Sequence, residues 1–90
     1  MKNPTLKIFI LDDDVWYSDL LEYHLSLNPD YEIRKFHAAK DCLAALHERP
    51  DALTLDYSLP DKNGSEVLKH IKEQSPDTQV VVISGQEDVA

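Results

Sequence analysis

The chain has 90 residues, 42% of them apolar and 29% charged, with a net charge of −8. That length allows one small domain, and the acidity with nine scattered basic residues argues against direct nucleic acid binding. No apolar run approaches a membrane span or a signal-peptide core, and the single cysteine, Cys42, excludes an internal disulfide or a CxxC zinc site. These features point to the cytoplasm. The histidines His24, His37, His47 and His70 share no ligand spacing and read as surface or edge-of-core residues.

Taken in order, "LKIFIL" (Leu6–Leu11) reads as a short buried strand running into Asp12, Asp13 and Asp14. Asp14 suits the cap of a helix over "VWYSDLLEYHLSLN", with an apolar stripe through Trp16, Leu20, Leu21, Leu25 and Leu27. Asn28-Pro29-Asp30 ends it. "YEIRKF" alternates as a strand near a sheet edge. "AAKDCLAALHER" predicts a helix buried through Ala39, Cys42, Leu43 and Leu46 and closed by Pro50. "ALTLD" is a third strand ending in Asp56. The turn-rich "YSLPDKNG" leads to a helix starting at Ser65, with Val67, Leu68 and Ile71 on one face. After Pro76-Asp77, "QVVVIS" forms a fourth strand ending in Ser84.

This β-α-β-α-β-α-β order predicts an α/β fold, with a parallel sheet covered on both faces. Ligands of such sheets sit beyond the carboxyl ends of the strands, where the strand order reverses. Asp12 and Asp13, Asp56, and Ser84 all end strands and meet at that rim. Converging carboxylates raise one another's pKa unless a cation joins them. An all-oxygen set suits Mg²⁺, which in turn attracts a phosphoryl group. Asp14, Asp61 and Asp77 read instead as caps and solvated loop charges.

"ILDDD", "LTLDYSLPDKNGSEVLKHIK" and "VVVISG" together resemble the receiver domain of two-component response regulators, over essentially the whole chain. The most specific block is Asp56-x-x-Leu59-Pro60-Asp61-x-x-Gly64, taken with the upstream acid pair. The resemblance implies a flavodoxin-like, doubly wound sheet of order 2-1-3-4, with the family's fifth strand missing. It implies that Asp56 accepts a phosphoryl group from a phosphohistidine on a sensor histidine kinase or phosphotransfer protein. Mg²⁺ would be held by Asp12, Asp13, Asp56 and the main-chain carbonyl of Ser58, and Ser84 would hydrogen-bond the phosphoryl group. Gly64 would supply a tight turn before the third helix. Gly85 departs mildly from the small residue, usually alanine, that follows the Ser/Thr position.

Residues 1–90 thus read as a receiver domain incomplete at its carboxyl end. The family continues for about 30 residues that carry a lysine and much of the output face. Its absence would leave "VVVIS" as an exposed edge, open to dimer formation. Such a domain is a switch for an output domain and not a turnover enzyme. Two other functions fit parts of the pattern: a pseudo-receiver that binds without phosphorylation, and a phosphatase of the haloacid-dehalogenase type. The latter would use Asp12 as nucleophile and Asp14 as acid/base, but it leaves Asp56 unexplained.

Overall fold

A computed structural model describes residues 5–57, 59 and 62–83. The elements are β1 (Leu6–Leu11), α1 (Val15–Ser26), β2 (Tyr31–Phe36), α2 (Ala39–Ala44), a 3-10 turn (Leu46–Glu48), β3 (Ala52–Asp56), α3 (Gly64–Gln74) and β4 (Gln79–Ile83). The strands make one parallel sheet in the order β2-β1-β3-β4. Ile8 is level with Ile33 and Ala52, Leu11 with Phe36 and Leu55, and Asp56 with Ile83. The chain moves to one side of β1 to form β2, then crosses back to form β3. The reversal therefore lies between β1 and β3, at whose carboxyl ends the sequence puts its acids.

Alternation along the strands divides the apolar side chains between two faces. Phe9 and Leu11 join Leu53, Leu55 and Phe36 beneath α2 and α3, where Ala39, Cys42, Leu46, Val67 and Ile71 complete the core. Phe9 and Phe36 meet edge to face at 4.9 Å, and the guanidinium of Arg34 lies 4.9 Å from the Phe36 ring centroid while pairing with Glu48. Burial pushes the Cys42 thiol up to about 12, so it packs as a small apolar residue. At the amino end of the sheet, Thr78 Oγ1 donates to Pro50 O at 2.7 Å and bonds Ser75 Oγ at 2.7 Å, lacing the start of β3 to the approach to β4.

Four expectations need correction or sharpening. Only part of the α1 stripe faces inward. The inward face is Ser18, Leu21 and Leu25, whereas Trp16, Leu20 and Leu27 are exposed, Trp16 at 72%. Lys35 of β2 pairs with both Asp19 and Glu22 in this rotation. The second helix is α-helical only over Ala39–Ala44. It tightens into the 3-10 turn and stops at Arg49, whose φ of 54° is left-handed.

The cap of α3 is Asn63, one residue before the helix. Its Oδ1 accepts from Ser65 N at 2.8 Å and from Ser65 Oγ at 2.6 Å. Gly64 has no positive φ, so the reason for glycine is space: a Cβ there would lie 2.7 Å from the Tyr57 ring and from its carbonyl oxygen.

Candidate metal centre

β1 delivers its acids at the point where its ladder runs out. Asp12 N donates to Phe36 O at 3.0 Å, continuing the pairing with β2 one residue past Leu11. The chain then bends, and Asp12 Oδ1 accepts from Asp14 N at 2.9 Å. Asp14 caps α1: its Oδ1 accepts from Tyr17 N at 3.1 Å, and its carbonyl accepts from Ser18 N at 3.0 Å. This cap leaves Asp14 out of the acid cluster. On the neighbouring strand, Asp56 closes β3, and the next residue holds β4 through Tyr57 N to Ile83 O at 3.2 Å.

Asp12, Asp13 and Asp56 converge, with a carboxylate oxygen from each lying within 4.8 Å of the others. Asp12 and Asp56 are only 6% and 7% exposed, while Asp13 closes the cluster from the solvent side. The Asp13 carboxyl is raised above its ordinary pKa. Loss of hydration at the rim is the largest cause, followed by a hydrogen bond to Asp56 and by its charge, with Asp14 adding less. The donor set is all oxygen and carries three formal charges, which fits a hard divalent ion.

Ser58 and Ser84, like Asp61 and Gly85, lie outside the described residues. Leu59 is buried in the core. All four histidines are exposed, as the sequence predicts. Sequence reasoning missed one arrangement beside the site: buried Ser18 meets His37 at 3.3 Å. No spacing rule would have found a pair 19 residues apart on two elements.

Comparison with known proteins places this geometry. Residues 8–90 match the family described as the response regulator receiver domain. The chain is 31% identical over 89 residues to a protein-glutamate methylesterase/protein-glutamine glutaminase of Thermotoga maritima, covering 94% of this chain and 25% of that protein. Among solved structures, the BeF3-activated DrrB receiver domain superposes with a TM-score of 0.82 at 28% identity, over 93% of this chain and 69% of that one. A response regulator from Burkholderia pseudomallei, solved with a phosphorylated aspartic acid, calcium ion and citrate, superposes with a TM-score of 0.81 at 21% identity, over 93% and 49%. The chain spans about a quarter of the length of the first curated relatives it matches. The chain belongs to the response regulator receiver domain family.

Proposed function

We propose that residues 1–90 act as a Mg²⁺-dependent phosphoacceptor unit, with Asp56 taking a phosphoryl group from a phosphohistidine. The observation that carries this reading is a buried strand-end carboxylate, Asp56, within 4.8 Å of the Asp12–Asp13 pair in a chain of this family. Asp56 attacks as the carboxylate. One of its oxygens forms a bond to phosphorus as the P–N bond breaks, and the bonding pair returns to the imidazole. Asp12, Asp13, Asp56 and the carbonyl of Ser58 are the residues that would hold Mg²⁺. When bound, the ion offsets their charge and that of the transferring oxygens.

Ser84 would then hydrogen-bond the new phosphoryl group. The donor is a sensor histidine kinase or phosphotransfer protein in the cytoplasm, and the readout is an output domain or a partner. The role of Asp14 as helix cap speaks against the phosphatase alternative, which needs that carboxyl as acid/base. The test is incubation with Mg²⁺ and a small acyl phosphate, followed by mass spectrometry. Wild type should gain one hydroxylamine-labile phosphoryl group, and Asp56→Asn or chelation should abolish it. An unmodified wild type, or an Asp56→Asn variant modified equally, would overturn the reading.

A further inference from the structure

Beside the acid cluster, one buried hydroxyl joins two elements through a side chain that the phosphoryl chemistry leaves unused. Ser18, the fourth residue of α1, is fully buried. Its Oγ donates to Val15 O at 3.1 Å and lies 3.3 Å from His37 Nε2. A hydroxyl has one proton to give. With that proton on Val15 O, the Oγ lone pairs accept from the imidazole, so Nε2 carries the ring proton.

His37 directly follows Phe36, whose carbonyl accepts from Asp12 N at 3.0 Å. The segment from Asp12 to Ser18 is therefore tied at both ends to the same few ångströms of chain at the carboxyl end of β2. Between the ties, Asp12 Oδ1 holds Asp14 N, and Asp14 Oδ1 holds Tyr17 N. Asp13, the exposed member of the cluster, sits on this segment between the two ties.

We infer that His37 is a positioning residue: through Ser18 it pins the first turn of α1 to the end of β2, and so holds Asp12 and Asp13 at the spacing from Asp56 that a divalent cation needs. This rests on the reading of the acid cluster as a cation site. Removing the imidazole orphans no buried donor, because Ser18 keeps its bond to Val15 O. What goes is a link between elements, so the effect falls on the geometry of the loop rather than on the fold. Glutamine, which also offers an N–H, can replace the link.

The experiment is Mg²⁺ titration by calorimetry, alongside metal-free thermal unfolding. Relative to wild type, His37→Ala should bind Mg²⁺ roughly 2- to 10-fold more weakly, the size of one modest hydrogen bond. Its metal-free midpoint should be unchanged, and His37→Gln should recover most of the affinity. Ser18→Ala should weaken binding by a similar factor, and the double variant no further. The inference is overturned if His37→Ala binds like wild type, if glutamine is no better than alanine, if the two effects add, or if metal-free stability falls in proportion. A wild type that binds no Mg²⁺ would sink the cation site itself. Normal wild-type binding that His37→Ala leaves untouched would remove only this inference.

Discussion

At the scale of single residues, the acids at the rim work against the fold that displays them. Asp13 has its folded pKa raised, so the folded state holds its proton more tightly than the unfolded chain does. Its contribution to stability is complete below the ordinary carboxylate pKa, and it is lost as pH rises through the elevated folded value. Metal-free protein should therefore lose part of its stability over that interval, measured as a falling urea midpoint. Glu48, lowered chiefly by its hydrogen bond from Arg34, has the opposite dependence. The comparison with Asp13→Asn isolates the rim: the variant should lack the component that falls with rising pH. An identical pH profile in the two proteins would contradict the assignment.

Gly64 presents a simpler problem of space. A methyl there meets both the ring and the carbonyl of Tyr57 at 2.7 Å. Gly64→Ala should cost about 1–3 kcal/mol by urea unfolding, the usual range for an overpacked site. Tyr57→Ala in the same chain should return only the part owed to the ring, since the carbonyl remains. A Gly64→Ala protein as stable as wild type would show that the loop yields freely. The sequence block around Asp56 signalled that glycine matters, but it suggested a turn conformation that the backbone does not use.

At the scale of elements, strand ends were legible and helix rotation was not. β1, β2 and β3 have the limits that the sequence predicts: β1 and β3 are buried, mainly apolar runs that stop where they meet water, and β2 alternates as an edge strand. The rotation of α1 depends on partners that arrive from elsewhere. Ser18 is inside with its hydroxyl donating to Val15 O and facing His37, and Lys35 pairs with Asp19 and Glu22 across β2. Trp16, Leu20 and Leu27 of the apolar stripe end up outside, while Leu21 and Leu25 are half-buried. Leu27→Gln should change stability by no more than about 0.5 kcal/mol, as for ordinary surface positions. Ile71→Ala, in the sealed core beneath α3, should cost about 2–5 kcal/mol. Chemical denaturation of the two variants side by side checks the contrast, and a large loss for Leu27→Gln would place that side chain against the body of the protein.

For the whole molecule, the alternating strands and helices fix a parallel sheet, and the right-handed crossover rule leaves few orders open. The order 2-1-3-4 came from the resemblance, and the registers bear it out. Topology then explains why acids so far apart in sequence share one site: crossing from β2 to β3 sets Asp56 beside the end of β1. At the opposite end of the sheet, Thr78, Ser75 and Pro50 lace the strands through hydroxyl and carbonyl groups, and Asp51 Oδ2 accepts from Lys7 N at 2.8 Å. Among the described residues β4 is an edge strand, with Val81 54% exposed. Val81→Lys should leave the far-ultraviolet spectrum unchanged and reduce concentration-dependent association in sedimentation runs. Greater association in the lysine variant would contradict that view of the edge.

The claim that unites these scales is that Asp12, Asp13 and Asp56 form a site that is strained when empty and relieved by a divalent cation. Thermal unfolding of wild type, Asp13→Asn and Asp56→Asn at neutral pH, with and without millimolar Mg²⁺, tests it most directly. Without the ion, both variants should melt above wild type, because each removes one of the crowded charges. With the ion, wild type should gain most and pass them both, since binding to the folded state alone raises stability. A wild-type midpoint indifferent to Mg²⁺, or the same ranking of the three proteins in both conditions, would contradict the account.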